Sequence, residues 1–469
     1  MSKKHIFTTA ALAALAAAAG VSMSGQANAQ TPAPPTTTWT GTVGEDRDAA
    51  SGGRFKMRGR FQYDVYSNDW DLSTDDGSRS YVRRAFIGVQ GRFAEHWRYK
   101  VDFVLSPGAS EAGAATATTL RLCQANATAA IAQRATCLAG ETDRGPIVTA
   151  VAGGGAGADD VLVDDAFLEY AGDFYSVVIG ENNVTAPLED RTSSLDIPFI
   201  ERSSMINTFG YGRAAGIAFL TTGANWTASA GVYGDSLNNQ DSNFAADETT
   251  SVSGRFTWAP IFEVSPESYT LVHLGLTARE RYIGDDAGQR FRTRPLNGRG
   301  ARHIDAGSGI IGESDTSLGA ELALQYNQFG MTAEYARLEG TETPAAGGAS
   351  FEFDGYYVDA FWSLTGEPRA YRGNTGSFGA VAPRRPITQE GGWGHWMLSA
   401  RYDFIDLTDP AGTVATRGEQ SAYALGLDWI PIDHVRFKLN YAMSEMDRTN
   451  PLSVDDEAQI VTFRSQFDF

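Results

Sequence analysis

Cysteine is nearly absent: 469 residues carry only two, Cys123 and Cys137. That excludes a disulfide-stapled small domain and any cysteine-rich metal centre. Neither His-Glu-x-x-His nor Gly-x-Ser-x-Gly occurs, and the six histidines, at 5, 96, 273, 303, 395 and 434, are scattered. Catalysis by nucleophile, base and orienting acid needs such groups gathered. An enzyme is therefore not expected, and no cofactor or metal is called for. Long apolar runs are missing too: beyond Gln30 none approaches the roughly 20 residues of a spanning helix, which excludes a helical membrane protein. Positive charge is in deficit, 38 Lys and Arg against 57 Asp and Glu for a net −19. Nucleic-acid binding as the main role is excluded with it.

What is present begins with an export signal. Lys3 and Lys4 precede an Ala-rich apolar stretch from Ile6 to Met23, and Ala27-Asn28-Ala29 is a small-x-small cleavage site. Residues 1–29 read as a signal peptide, 30–54 as a flexible Pro/Thr-rich leader, and 55–469 as one folded domain. The even pair of cysteines, in an exported chain, suggests a disulfide clipping one loop; two unpaired thiols are the alternative.

From Phe55 onward the dominant pattern has period two. Phe55, Met57, Gly59, Phe61, Tyr63 and Val65 oppose Lys56, Arg58, Arg60, Gln62 and Asp64. Trp97, Tyr99, Val101, Phe103 and Leu105 oppose Arg98, Lys100 and Asp102. Val435 to Met443 and Val461 to Phe469 alternate likewise. Sixteen such segments can be marked: 55–66, 81–93, 96–105, 161–171, 174–181, 213–221, 225–234, 250–258, 269–281, 316–328, 330–339, 353–364, 392–406, 419–430, 433–445 and 457–469. A soluble sandwich and a membrane barrel share this periodicity. Apolar faces ending in Trp97, Tyr402, Trp429 and Tyr441, hairpins with alternately short and long joints, and an aromatic last residue favour the barrel. The expected fold is all-β, a 16-stranded antiparallel transmembrane barrel with long external loops and a water-filled lumen. Tight turns at Ala94-Glu95, Gly172-Asp173, Asn327–Gly330 and Pro431–Asp433 belong on the periplasmic side. Thr365 to Gly392 also falls there by the count yet is long, so it is either a miscounted strand or a turn folded inward to constrict the channel.

Several segments stand in a specific order: RFKMRGRFQYDVY from Arg54, YVRRAFI from Tyr81, LEDRTSS from Leu188, Glu201-Arg202, LTGEPRAY from Leu364, Gly379-x-Val381-x-Pro383 and Gly392-Trp393-Gly394. Together they resemble the phosphate- and polyphosphate-selective porin family across most of the mature chain. The resemblance implies an outer-membrane homotrimer in lipid, a third external loop (about Asn182 to Gly212) folded into the lumen, and an arginine-lined route for phosphate-like anions. By position it assigns constriction roles to Arg60, Arg84 and Arg202, with Arg83 beside them. Arg290, Arg292, Arg294 and Arg299 match a mouth-proximal arginine ladder in part, Leu296 standing at one expected arginine position. Where the family carries a lysine after Leu-Glu, this chain has Asp190 followed by Arg191. A carboxylate there repels phosphate unless Arg191 or Arg202 neutralises it, and Arg191 is the candidate for the central cation. Guanidinium groups suit the task because each offers several donors in a planar fork to an oxyanion leaving water. The expected function is passive diffusion of anions, phosphate or a related oxyanion. A general small-solute porin, or a non-conducting structural or adhesin barrel, is the alternative.

Overall fold

The computed structural model describes residues 54–71, 77–105, 118–124, 132–134, 142–149, 161–239, 250–265, 268–282, 291–299, 302, 304–306, 312–342, 348–409, 417–448 and 456–469. The expected signal peptide and nearly all of the expected leader lie outside these. The chain forms two compact units, one of residues 1–104 with 163–469 and one of residues 105–162. The second contains a three-stranded antiparallel sheet, Thr118–Gln124, Ala132–Arg134 and Thr142–Thr149. Cys123 is on its first strand, while Cys137 and the proposed disulfide fall outside the described residues.

The first unit is a closed barrel of sixteen strands. In order they are β1 (Arg54–Trp70), β2 (Gly77–Phe93), β3 (Trp97–Val104), β4 (Leu162–Ala171), β5 (Tyr175–Asn183), β6 (Arg213–Thr222), β7 (Trp226–Tyr233), β8 (Thr250–Val264), β9 (Tyr269–Tyr282), β10 (Gly312–Tyr326), β11 (Phe329–Glu342), β12 (Ser350–Ser363), β13 (His395–Asp406), β14 (Gly418–Ile432), β15 (Val435–Arg448) and β16 (Asp456–Asp468). Each strand follows its predecessor around the wall and β16 pairs antiparallel with β1. Closure leaves no unpaired edge, which lipid could not satisfy. Each expected segment is a strand, and the differences lie at the ends. Several strands run further: β1 reaches Trp70, β8 reaches Val264 past a bulge at Pro260, and β14 reaches Ile432 past one at Pro431. Proline has no ladder donor, and a bulge is where a strand tolerates that.

The burial pattern is inside out relative to a soluble protein. On β16, Thr462, Arg464 and Gln466 are buried while Val461, Phe463 and Phe467 are exposed. On β1, Gln62 and Asp64 are buried while Phe61 and Val65 are exposed. A chain can present this much outward apolar surface only to hydrocarbon. Aromatic rings border the band at both ends. Near the short turns Trp396 stacks on Trp429 at 5.4 Å and Trp429 on Phe437 at 5.5 Å; toward the long loops Tyr402 meets Tyr356 at 5.9 Å and Tyr423 at 5.0 Å. At the seam, a Cβ on Gly59 would lie 2.2 Å from the Phe469 ring, so only glycine lets that ring cross β1. No helix among the described residues is long and apolar enough to cross a membrane.

The connection from Leu364 to Gly394 is no missing strand. It turns inward: Tyr371 and Phe378 pack with Leu188, Leu271 and Ala323, and Arg255 on β8 donates to the carbonyls of Thr375 and Gly376. At its base the Glu367 carboxylate accepts from His395 Nδ1, from Thr365 Oγ1 and from the Arg384 amide. Burial alone would raise this group, yet those hydrogen bonds hold it at about 2.

Two expectations follow. Placing a charge on the outward face, Leu439→Arg, lowers barrel stability by roughly 2–4 kcal/mol, read from urea unfolding in lipid vesicles. Because Glu367 titrates lower folded than unfolded, its stabilisation is complete above the ordinary value near 4.5 and is lost as pH falls through about 2. Hydrogen exchange at the Arg384 amide therefore loses protection across that window, and unchanged protection refutes the assignment.

Candidate functional site

The interior is organised by the segment between β5 and β6. Asn183, Gly210 and Gly212 bound it; the two glycines hold φ of +62° and +50° and turn the chain back to the wall. Two short helices form within it, α1 (Leu188–Arg191) after Pro187 and α2 (Ser204–Phe209), capped by Ser203 Oγ accepting from the Ile206 amide. The segment lies against inward side chains of much of the wall. Arg401 on β13 donates to Glu189 Oε1 and the Glu201 carbonyl, Lys438 on β15 to the carbonyls of Ile197 and Pro198, and Arg464 on β16 to that of Ile200. Arg436 reaches the Leu195 carbonyl, and Arg369, from the inward turn below, donates to that of Asp196 at 3.1 Å. Asp403 accepts from the Ser204 amide.

The wall cations that hold this segment are sealed. Side chains of Arg401, Lys438 and Arg464 keep 0% of their surface. Arg464 also makes a bidentate pair with Asp64, both contacts 2.7 Å. On the wall of β1 to β6 the picture differs. Arg58, Lys100 and Arg213 keep 27%, 20% and 35%. A cavity of about 180 Å³ opens at the β1 end of this wall, lined by Arg58, Arg60, Gln90 and Asp102, by His434, Asp468 and Phe469 at the seam and, from the central segment, by Leu195.

Of the nine arginines singled out in the sequence, the eight that are described have distinct settings. Arg60 on β1 donates to Ser194 Oγ at 2.9 Å and Ser193 Oγ at 3.5 Å and lies 5.3 Å from the Phe86 ring. Arg84 on β2 donates to Gln62 Oε1 at 3.0 Å. Arg83 and Arg84 both turn inward because a bulge opposite Gln62 and Tyr63 inserts one extra residue in β2. Strict alternation would send one of them to lipid. Arg83 instead forms a two-pronged pair with Glu201, at 2.8 and 3.0 Å, and Arg464 reaches the same carboxylate at 3.2 Å.

Arg202 caps the carbonyls of Glu189, Asp190 and Thr192 and pairs with Asp190 Oδ1 at 3.3 Å. Asp190 is thus neutralised by Arg202, and Asn183 Nδ2 donates to its other oxygen. Arg191, next in sequence, has no side-chain hydrogen bond or ion pair among the described residues. Burial, then the charge of Arg255, pull its guanidinium below the ordinary pKa, more than Tyr233, Asp190 and Asp165 raise it. Arg292 is in a two-residue strand paired with Ile304–Asp305, its carbonyl accepting from Thr208, and Arg294 gives its carbonyl to Gln420. Arg299 lies 4.8 Å from the Tyr81 ring. Arg290 is outside the described residues.

The sequence reading passed over the acidic group on the accessible wall. Asp102, Asp164 and Asp165 lie together, but cations already fill the space between them. Lys100 contacts Asp102 at 3.2 Å and bonds Asp165, Arg213 meets Asp164 at 3.1 Å and Asp165 at 3.0 Å, and Arg58 approaches Asp102 at 3.5 Å. Lys100 and Asp102 were visible as inward residues of an alternating strand; their partner across the barrel wall was not.

Replacing Glu201 by alanine leaves Arg83 and Arg464 buried without their shared acceptor. The expected loss is about 3–5 kcal/mol of stability, measured as urea unfolding in vesicles; a loss below 1 kcal/mol rejects the network.

The comparisons with known proteins agree with this geometry. The sequence family described as phosphate-selective porin O and P matches residues 55–469. Porin O of Pseudomonas aeruginosa is 25% identical over 445 residues, covering 88% of each chain. An uncharacterised protein of Caulobacter vibrioides is 30% identical over 323 residues, 66% of this chain; the match spans 62% of that relative's length. Among solved structures, the outer-membrane protein OmpT of Vibrio cholerae superposes with a TM-score of 0.50 at 9% identity, covering 89% of this chain and 98% of that one. The chain belongs to the phosphate-selective porin O and P family: it is a porin of the Gram-negative outer membrane, a channel and not an enzyme.

Proposed function

We propose that the channel passes small oxyanions, phosphate among them, by passive diffusion along the wall of β1 to β6, as one barrel of a homotrimer. One observation carries the reading. Among the described residues Arg60, Arg84 and Arg191 are half-buried cations with neutral partners or none, whereas Arg58, Arg83, Lys100, Arg202 and Arg213 each have a carboxylate. A paired guanidinium offers an ion little; an unpaired one offers its charge and open donors. Three such groups, with the hydroxyls of Ser193 and Ser194 alongside, give several moderate sites in place of a single trap, and that is what conduction by exchange requires. The trimer is inferred from the family.

The carboxylates of Asp102, Asp164 and Asp165 favour a second reading, a general small-solute pore in which wall charges nearly balance. Reversal potentials in planar bilayers separate the two. A unit charge about 7 Å from a passing ion is worth roughly 2 kcal/mol at an effective dielectric near 20, before screening. Arg191→Ala is therefore expected to lower the anion-to-cation permeability ratio by on the order of tenfold, with Arg84→Ala acting in the same direction, and chloride current should fall when phosphate is added. A ratio near unity in the unaltered protein, or currents indifferent to phosphate, supports the general pore. An unchanged ratio in Arg191→Ala removes Arg191 from the selective group.

A further inference from the structure

We infer that Glu334, on the inward face of β11, is the positioning residue for Arg191. The inference rests on the reading of Arg191 as a selectivity cation. Glu334 is buried and aims at the start of α1. Its Oε2 accepts from the Leu188 amide at 2.8 Å and its Oε1 from the Glu189 amide at 2.7 Å, and Tyr357 on β12 donates its hydroxyl to Oε1 at 2.5 Å. The first amides of a helix have no partner within it, and a carboxylate satisfies them with the favourable sign of the helix dipole. At the other end of the same turn Arg202 collects the carbonyls of Glu189, Asp190 and Thr192.

The single turn that carries Arg191 is therefore held by a carboxyl group at its start and a guanidinium at its end. A four-residue helix has no stability of its own. The Arg191 amide donates to the Pro187 carbonyl at 2.9 Å, but its side chain has no hydrogen bond among the described residues, so the placement of this turn sets its azimuth. Tyr357 holds the carboxylate in the plane that meets both amides, so the positioning extends one strand further round the wall. Glu189 adds a second tether by accepting from the Ser203 amide at 2.8 Å, which ties α1 to the start of α2; Arg401 and Asn183 join α1 to the wall through Glu189 and Asp190, and Glu334 is the wall residue that meets its first two amides.

Glu334→Gln tests this, because charge and position predict opposite signs. Glutamine keeps one acceptor oxygen and sets an NH2 against the Leu188 amide. If Glu334 acted on the channel merely through its negative charge, its removal would raise anion preference. If it acts by placing Arg191, the substitution lowers the anion-to-cation permeability ratio, by roughly fivefold for the loss of one such hydrogen bond. The measurement is the reversal potential of purified channels in planar bilayers for the unaltered protein, Glu334→Gln, Arg191→Ala and the double variant, with heat-shifted gel mobility as the check on folding. The expected result is a lowered ratio in Glu334→Gln and a double variant indistinguishable from Arg191→Ala. A raised or unchanged ratio in Glu334→Gln beside a lowered one in Arg191→Ala overturns the inference alone. Additive effects in the double variant overturn it too, since Glu334 would then work through another group. An unchanged ratio in Arg191→Ala defeats the underlying reading first, and this inference with it. Tyr357→Phe, which removes one donor to the same carboxylate and leaves both amide contacts, serves where Glu334→Gln does not assemble. It must shift the ratio in the same direction, by less, and only when Arg191 is present.

Discussion

A stretch of irregular backbone inside a closed barrel has carbonyls that no strand ladder can satisfy, and water cannot reach most of them. In this protein cationic side chains perform that task. Arg202 takes the carbonyls of Glu189, Asp190 and Thr192; Arg436 that of Leu195; Arg369 that of Asp196; Lys438 those of Ile197 and Pro198; Arg464 that of Ile200; Arg401 that of Glu201. Hydrogen bonds from charged donors are roughly twice as strong as neutral ones. Burial of these cations is tolerable only because carboxylates share them, Asp64 with Arg464, Asp428 with Lys438, Asp359 and Glu189 with Arg401.

That constraint divides the positive charge of the lumen into two populations. On the β13 to β16 side, cations are structural and dry. On the β1 to β6 side they are half-exposed, and most have a carboxylate at hand. The remainder, Arg60, Arg84 and Arg191, is small, and under the proposed function it is the remainder that an ion would meet. The inward turn after β12 deepens the asymmetry by closing the interior from the other end, with Phe378 donating its amide to Thr192 Oγ1 and Arg369 joined to Asp196.

How much of this the sequence revealed follows from which interactions are periodic. Strand positions, their number and their facing were legible because alternation repeats every second residue and a register slip would turn a whole face to lipid. Strand ends were less so: β1 continues through Ser67-Asn68-Asp69-Trp70 beyond the apolar alternation, where outward residues have left the hydrocarbon and no longer need to be apolar. The bulge that turns Arg83 and Arg84 inward together has no residue signature in Tyr-Val-Arg-Arg-Ala. Family position marked Arg84 and Arg202 alike, with Arg83 beside them, yet Arg83 and Arg202 are tied to Glu201 and Asp190 while Arg84 donates to Gln62. Pairing is a property of three-dimensional neighbours as far apart in sequence as Asp64 and Arg464. Glu334 left no trace at all, since an inward glutamate on an alternating strand looks like any other lumen residue until its two amide partners from α1 are in place.

An acidic chain and a path for anions are compatible because the charges are kept apart. Beyond the upper aromatic ring, on outward positions of β11 to β16, carboxylates follow one another across the strands. Asp354 is opposite Asp406, Asp406 opposite Glu419, Glu419 opposite Asp447, and Glu445 opposite Glu457. Side chains on these positions alternate with buried inward residues such as Phe353, Ile405, Gln420 and Met446, so the barrel wall separates them from the lumen. At physiological salt, charges exposed to water are screened within about 8 Å, less than the width of that wall with its side chains. Net charge, −19 for the whole chain, thus includes groups that a permeating ion scarcely senses. Under the proposed function the sign that matters is set locally, by a few guanidinium groups, two of which have serine and glutamine as their hydrogen-bond partners. Moving one carboxylate to the wrong side of Arg84 would alter the channel more than removing many from the rim.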